Sequence, residues 1–399
     1  LWNRAINKRP GLSRKGEHLS ALAMIKRMWP RWFVEHELGN CNIDVRRFVV
    51  STHTLAVSTS LERWLTEGAP IGNAGRELLV KANEAEHGNA LDSAALPRRL
   101  MRQLMSGKRF DAEQRRLARA LPALMENDSS DDPEAHNASA DLVRKLLGDK
   151  PEAYYALILL DGDKMGAWIS GTDEDKLLKT RDTFHPQIRE RMKAHFTHPE
   201  HLAYLGAERA VSPSRHMAIS SALNSFALTL AQDIVENRCK GKLLYAGGDD
   251  VMALVAVDDL LACLTLLRAA YGGLSLHDKD DPKAPGPLAR SLQLDLDGLK
   301  LGGGHALLDG RLLREYATAS AGAVIAHHSA PLGAVLRRLR EAEKRAKSKG
   351  RRDAFAITLM KRGGGATELT LPWRLDEPKE GQKPTLEDSP MQLLAELCS

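Results

Sequence analysis

Apolar residues in the first third of the chain recur at helical spacing. The segments His18–Trp29 and Leu61–Leu65 place apolar side chains three or four residues apart, a pattern typical of amphipathic helices. The intervening stretch Arg47–Val57 is predicted to be extended. Further on, the acidic, serine- and proline-containing run Asn127–Ser139 has no periodicity and is predicted to be a linker. The pattern therefore predicts a helical region that a linker separates from the remainder of the chain.

From Ala153 onwards, strand and helix patterns alternate. The continuous apolar run AYYALILLD is typical of a central strand, and apolar positions at helical spacing predict a long helix from Met217 to about Glu236. The sequence KLLYAGGDDVMALVAV, Lys242–Val257, predicts a hairpin with two glycines and two aspartates at its tip. The next predicted elements are a helix over Asp258–Tyr271, a strand over Ser320–His328, a helix between Ser329 and Gly350 and a last strand over Asp353–Lys361.

This order of elements predicts an α+β fold. Strand, helix, strand, strand, helix, strand is the order of a ferredoxin-like palm, here with a helix and a strand added at its end. Two loops rich in Gly, Pro and Asp, residues 272–290 and 296–311, are predicted to be surface insertions. The predicted domains are a mainly helical domain over 1–126, a linker and lead-in over 127–150, a palm of the nucleotide cyclase and polymerase type over 151–365, and a connector with the start of a C-terminal helical domain over 366–399.

Length and composition narrow the class of protein. A chain of 399 residues is long enough for two or three domains, and no stretch approaches the roughly 20 apolar residues of a membrane span. The four cysteines lie far apart without a C-x-x-C pair, which predicts a reducing, cytoplasmic setting and no zinc site. Because the first residue is Leu1 rather than methionine, we expect the sequence to be a fragment.

Basic residues cluster although the net charge is only +5. The densest run lies between Pro97 and Leu121 and reads PRRLMRQLMSGKRFDAEQRRLARAL. An arginine-rich helix of this kind suits contact with RNA phosphates, and it equally suits a solvated face or a contact with an acidic neighbour. Both interpretations stay open at this point.

Acidic residues stand at the ends of two predicted strands. Asp161 ends the first strand and Asp163 follows two residues later, while Asp249 and Asp250 occupy the hairpin tip. The first strand and the hairpin are central neighbours in a ferredoxin-like sheet, so Asp161 and Asp249 are expected to face each other across about 5 Å. Mg²⁺ prefers hard oxygen ligands, and adjacent carboxylates repel unless a cation compensates them. The sequence therefore predicts a metal-dependent nucleotidyl-transfer site.

The glycines of the hairpin tip admit two interpretations. Gly247 and Gly248 permit backbone conformations closed to other residues and a close approach of a nucleotide. Gly and Asp are also the commonest turn formers, so the tip alone is equally well a surface turn. The second acidic cluster and the AKSKGR segment, at compatible places in one topology, favour a functional site.

Several ordered motifs carry a resemblance that covers nearly the whole chain. The sequence resembles the Cas-ten family, the large palm-containing subunit of type III-B CRISPR effector complexes of the Cmr subtype. The motifs are FVVSTHTLA at Phe48–Ala56, YYALILLDGDKMGAWISG at Tyr154–Gly171, SPSRHMAISSALNSFA at Ser212–Ala227, KLLYAGGDDVMALV at Lys242–Val255, SAGAVIAHHSAPL at Ser320–Leu332 and AKSKGRRDAFAI at Ala346–Ile357.

The resemblance implies that ATP is converted to cyclic oligoadenylate when the complex captures target RNA. It implies Mg²⁺ or Mn²⁺ as cofactor, and other Cmr-type subunits, guide RNA and target RNA as partners. Asp161, Asp249 and Asp250 would be the catalytic metal ligands. Gly247, Gly248 and Asp163 would bind the nucleotide. Lys347 resembles the lysine that meets the triphosphate, and a solvated cation at a helix end is the alternative.

Two departures from the family limit this expectation. The only His-Asp dipeptide, His277 and Asp278, lies in a predicted loop, so HD nuclease activity is not supported. The cysteine pairs of the family's zinc region are absent before ALAMIKRMW. Two other hypotheses remain: a related nucleotidyl transferase that makes a cyclic dinucleotide or an AMP adduct of S-adenosylmethionine, and a non-catalytic scaffold subunit.

Overall fold

The computed structural model places most of the chain in two compact units. They are Leu1–Glu152 and Ala153–Ser399. The residues that the structure describes are 20–33, 50–87, 95–106, 109–126, 141–148, 151–171, 179–184, 186–208, 211–278, 281, 283–297, 299, 317–375, 386 and 389–398. No helix among them is both long and apolar enough to cross a membrane.

The described part of the first unit is helical. Leucines from several of its helices, among them Leu61, Leu65, Leu100 and Leu117, pack into one buried cluster. The helices are α1 (Ala21–Phe33), α2 (Thr52–Thr66), α3 (Gly72–His87), α4 (Arg98–Met105), α5 (Ala112–Glu126) and α6 (141–147).

Two predictions for this unit need correction. The extended stretch expected at Arg47–Val57 is wrong for its described part, because α2 starts at Thr52, where Ser51 caps it by accepting a hydrogen bond from the Thr54 backbone N–H. The arginine-rich run Pro97–Leu121 forms parts of two helices, α4 and α5, rather than one. The linker predicted at Asn127–Ser139 lies outside the described residues.

The second unit is built on a six-stranded sheet. Its order is β2-β3-β1-β4-β5-β6, and every neighbouring pair is antiparallel except β4 and β5. The order of the first four strands is that of a ferredoxin-like palm, which confirms the predicted fold class. The strands are β1 (Tyr154–Gly162), β2 (Gly241–Gly247), β3 (Asp250–Ala256), β4 (Ala319–His327), β5 (Ala354–Met360) and β6 (Ala366–Pro372).

Helices of this unit pack on the sheet. The long helix predicted from Met217 is confirmed as α10, which continues in π-helical segments over Phe226–Ala231 and Asp233–Arg238. Short 3₁₀ turns cover Thr180–Thr183 and Val257–Asp259. The α-helices are α7 (Met165–Ser170), α8 (Pro186–His195), α9 (Pro199–Gly206), α10 (Pro213–Ser225), α11 (Leu260–Gly272), α12 (Pro287–Ser291), α13 (Leu332–Ser348) and α14 (Pro390–Cys398).

Some elements of this unit differ from the predictions. The strand predicted to be last is followed by β6, which pairs along the whole of β5 within the range predicted to be a connector. The loop 272–290 is not only a surface insertion, since Leu276 and Leu288 join the buried core. Met391 of α14 belongs to the same core, so this helix packs within the palm unit. A C-terminal helical domain that begins here stays a prediction.

Candidate functional site

The ends of two neighbouring strands bring the acidic motifs together. Strands β1 and β3 pair in a register that places Leu160 opposite Val251. The next opposing positions along these antiparallel strands are Asp161 and Asp250, where β3 leaves the hairpin turn. Asp250 rather than Asp249 therefore lies across from Asp161, which corrects the expected facing of Asp161 and Asp249.

The three aspartates are close enough to affect one another's ionisation. Burial, together with the charges of Asp161 and Asp249, raises the pKa of Asp250 to about 6. Burial also raises the pKa of Asp249, with a further contribution from Asp161. A carboxyl group resists ionisation where water is excluded and a like charge is near. The pocket thus concentrates negative charge that a cation would relieve.

Lys347 supplies a positive charge to this pocket. Its ammonium group pairs with Asp161 and, at 2.7 Å, with Oε1 of Glu343 one helical turn earlier on α13. Burial by itself lowers the pKa of Lys347, but the hydrogen bonds to Asp161 and Glu343 outweigh it and raise that pKa. The structure therefore brings Lys347 to the aspartates, 186 residues away from Asp161 along the chain.

Asp163 is buried next to the site and connects the strands that carry it. Its side chain is buried, its Oδ1 accepts a hydrogen bond of 2.7 Å from the Ser320 hydroxyl, and its Oδ2 accepts one of 3.0 Å from the backbone N–H of Asp353. Asp353 in turn pairs with the fully buried Arg268 and with Arg374. These contacts tie the end of β1 to β4 and to the turn before β5, so direct contact of Asp163 with a nucleotide stays a prediction.

The glycines form the tip of the hairpin. Gly248 has a φ of +63°, which L side chains rarely adopt, and it is exposed. A Cβ added to Gly247 would lie 2.6 Å from the hydroxyl oxygen of Tyr245, so the Tyr245 side chain closes over this glycine. The tip is thus open to solvent at Gly248 and covered by an aromatic ring at Gly247.

Two further residues at the site, Glu343 and Tyr271, were not among the residues predicted from the sequence. Glu343 precedes Lys347 by four residues on a predicted helix, a spacing that does indicate an ion pair. Tyr271 ends α11, and burial, followed by the charges of Asp249, Asp163 and Asp161, raises its pKa well above its ordinary value. Only the packing of α11 against the sheet brings Tyr271 here, so no local pattern indicates it.

The donor chemistry of the site fits a divalent cation. Three carboxylates, two of them with raised pKa values, offer the hard oxygen ligands that Mg²⁺ or Mn²⁺ takes. Within the described ranges, no three His, Cys, Asp or Glu side chains are gathered as a ligand set. Asp161 is engaged in an ion pair with Lys347, so binding of a cation by Asp161 would compete with this contact.

The family model for the second palm domain of Cas10/Cmr2 matches residues 154–285 and 305–356. These ranges hold β1, the hairpin, α11, β4 and α13, the elements that form the site. The chain carries a Cas10/Cmr2 second palm domain. All three aspartates and Lys347 lie within this palm domain.

Two curated proteins are similar in sequence to this chain. The CRISPR system Cmr subunit Cmr2 of Pyrococcus furiosus is 31% identical over 232 residues, which is 58% of this chain and 21% of that protein. The CRISPR system CMR subunit Cmr2 of Saccharolobus solfataricus is 43% identical over 65 residues, 16% of this chain and 6% of that protein. The chain thus matches about a fifth of the length of the first relative.

Solved structures share the fold. A cryo-EM structure of the type III-B Cmr-beta complex bound to cognate target RNA contains a chain that matches with a TM-score of 0.56 and 16% identity, over 96% of this chain and 43% of that one. A structure of the apo state of Cmr-beta matches with a TM-score of 0.50 and 16% identity, over 93% of this chain and 42% of that one. At this identity the match concerns the fold of the palm domain and its neighbouring helices.

Proposed function

We propose that this chain is the palm-bearing part of a type III-B CRISPR effector subunit that converts ATP to cyclic oligoadenylate when target RNA is bound. The observation that carries the proposal is the meeting of Asp161, Asp249 and Asp250 at the ends of paired strands, with Lys347 in the same pocket. The two relatives named Cmr2 and the Cmr-beta structures support the choice of complex. Its partners would be other Cmr subunits, guide RNA and target RNA.

In this proposal the aspartates hold Mg²⁺ or Mn²⁺. The bound ions would neutralise the charge that develops on the transferred phosphoryl group. Lys347 exchanges its ion pair with Asp161 for the triphosphate, which an ammonium group binds as a point charge. Gly248, exposed at the hairpin tip, leaves room for a nucleotide beside Asp249.

The proposed reaction is an in-line transfer between two ATP molecules. A 3′-hydroxyl oxygen forms a bond to the α-phosphorus of the second ATP, while the bond from that phosphorus to the bridging oxygen breaks. Pyrophosphate leaves and the hydroxyl proton passes to water. Because no protein nucleophile takes part, the chain's own contribution is to position the phosphates and to complement their charge.

The test is the product that the assembled complex makes from labelled ATP, Mg²⁺ and target RNA, identified by mass spectrometry. We expect cyclic oligoadenylate from the wild-type chain and a loss of at least about a hundredfold for Asp249→Asn with Asp250→Asn. The matched control is Glu190→Gln with Glu200→Gln, which removes two exposed carboxylates from the same unit and should leave product formation unchanged.

Each other outcome selects a different hypothesis. A different adenylated product, such as a cyclic dinucleotide or an AMP adduct of S-adenosylmethionine, would favour a related nucleotidyl transferase. Full activity in the double variant would remove Asp249 and Asp250 from the reaction. A wild-type complex that binds target RNA but forms no product would favour the non-catalytic scaffold.

A further inference from the structure

One buried hydroxyl group beside the carboxylates has no hydrogen-bond partner among the residues that the structure describes. Tyr271 is fully buried, and its ring packs edge-to-face on Phe226 with 5.2 Å between ring centroids. Within the described part of the chain, its hydroxyl oxygen makes no hydrogen bond. An unpaired buried hydroxyl destabilises the fold, and phenylalanine would fill the same space without this cost. The hydroxyl is therefore able to donate a hydrogen bond without giving up one that the described residues already make.

The hydroxyl group lies against Gly162, between the two acidic motifs. A Cβ added to Gly162 would overlap the Tyr271 hydroxyl oxygen and would lie 2.8 Å from Cβ of Asp249. The hydroxyl and the base of the Asp249 side chain therefore flank the same point on the backbone. These two contacts put the Tyr271 hydroxyl oxygen within about 5 Å of Asp249 Cβ, a separation that the Asp249 carboxylate can bridge.

We infer that Tyr271 is a positioning residue for Asp249: when cation and nucleotide bind, its hydroxyl donates a hydrogen bond to the Asp249 carboxylate and fixes the oxygen that faces the cation. This inference rests on the proposed function. Hydrogen bonds from such outer residues orient metal-ligating carboxylates. A tyrosine hydroxyl is protonated at neutral pH and can therefore donate this hydrogen bond. Gly162 is then required for contact, since any larger residue would displace the hydroxyl from Asp249.

A conservative variant separates the hydroxyl from the ring. Tyr271→Phe keeps the packing on Phe226 and removes only the donor. We expect it to raise the Kd for Mn²⁺ about tenfold in the full chain with a non-hydrolysable ATP analogue present, measured by electron paramagnetic resonance of free Mn²⁺. Its unfolding midpoint in urea without metal should equal or exceed that of the wild type, because an unpaired polar group is removed.

The matched control is Tyr155→Phe. Tyr155 is also a fully buried tyrosine of the palm unit, but it lies at the opposite end of β1 from Asp161, where it pairs with Ala256 and Ala326. Removal of this hydroxyl should change the Kd for Mn²⁺ by less than twofold.

The outcomes are distinguishable. A wild-type chain that binds no Mn²⁺ with the ATP analogue would remove the proposed function and this inference with it. Wild-type binding together with an unchanged Kd in Tyr271→Phe would overturn the inference alone. Loss of folding in Tyr271→Phe, or equal weakening in Tyr155→Phe, would also overturn it, because either result assigns the hydroxyl to the fold rather than to Asp249.

Discussion

Asp161, Asp249 and Asp250 bring like charges into a partly buried pocket. Lys347 adds a positive charge to this pocket, and Glu343 adds another negative charge. Asp161 has a partner in Lys347, whereas burial and repulsion raise the pKa values of Asp249 and Asp250. Ionised carboxylates in such a pocket destabilise the fold unless a cation binds beside them. This cost gives the site a measurable signature before any ligand is added.

Ionisation of Asp250 is expected to lower the free energy of unfolding as the pH rises. The pKa of Asp250 in the folded chain, about 6, exceeds the ordinary value of 3.8, so its contribution to stability is fully present below pH 3.8 and is lost as the pH rises through about 6. Asp250→Asn should therefore raise the free energy of unfolding in EDTA by about 1 kcal/mol at pH 8, a value discounted for partial exposure, and by little at pH 4.5. Urea titrations at the two pH values measure the difference.

A control for this prediction is Glu200→Gln. Glu200 is exposed in the first turn of α9, so its replacement should change stability by a few tenths of a kcal/mol at both pH values. An Asp250→Asn chain that is no more stable than the wild type at pH 8 would contradict the claim that burial and neighbouring charges disfavour ionised Asp250.

Lys347 offers a test of the ligand it would meet. Lys347→Met frees Asp161 and removes the cation proposed for the triphosphate, so the Kd for an ATP analogue should rise about tenfold while Mn²⁺ alone binds no more weakly. Isothermal titration measures both constants. Lys344→Met, an exposed lysine on the same helix, is the matched control. Equal effects of the two substitutions would assign Lys347 to a solvated helix end.

The sequence indicates the aspartates and Lys347 because each stands at the end of a strong local pattern. Asp161 follows a continuous apolar run, and Asp249 and Asp250 directly follow a pair of glycines. Lys347 lies near the end of a predicted amphipathic helix. Tyr271 has no such signal, since its role depends on how α11 packs against the sheet. The register of β1 and β3, which places Asp250 opposite Asp161, likewise depends on how the two strands pair. It cannot be read from either strand's sequence alone.

At the scale of elements, strong periodicity predicts better than weak periodicity. The apolar runs of β1, β3 and β4 are confirmed as strands. The described residues of Arg47–Val57 are helical instead, because the N-cap at Ser51 and the burial of Leu55 and Leu61 outweigh their β-branched neighbours. Strand β6 was not predicted, since its residues are exposed or half-buried at a sheet edge and carry little apolar signal.

The contact between β4 and α13 sets the position of Lys347. A Cβ on Gly322 would overlap the Glu343 backbone nitrogen and lie 2.9 Å from the Leu339 carbonyl oxygen, so strand and helix meet backbone to backbone. Gly322→Ala should push α13 outwards, lower the free energy of unfolding by about 1–3 kcal/mol and weaken binding of an ATP analogue. Urea unfolding and isothermal titration measure the two effects.

Gly333→Ala is the control on the same helix. A Cβ there meets only Arg337 Nη1 at 4.0 Å, so the substitution should leave stability unchanged or raise it by up to about 1 kcal/mol. A neutral Gly322→Ala would show that α13 shifts at no cost and that the close approach does not hold Lys347.

At the scale of the whole molecule, each of the two units has a large buried cluster of its own. The cluster of the first unit draws on residues between Val57 and Leu147, and that of the palm unit on residues between Ala156 and Ala395. The palm cluster includes Leu288 from the loop region and Met391 from α14, which the sequence pattern assigned to an insertion and to a further domain. Contacts between residues that are far apart in the sequence determine where a unit ends, and the local periodicity of apolar residues does not reveal such contacts.

The palm unit should therefore fold without the first unit. We expect residues 153–399, expressed alone, to unfold in urea in one cooperative transition, since the core that α11, α12 and α14 share lies entirely within this range. A shorter fragment over residues 153–365, which ends before β6, loses the partner of β5 together with Met391 and Ala395 from that core. It should unfold at a lower urea concentration or fail to give a cooperative transition. Equal midpoints for the two fragments would show that residues 366–399 are dispensable to the palm core, as expected of a connector that leads into another domain.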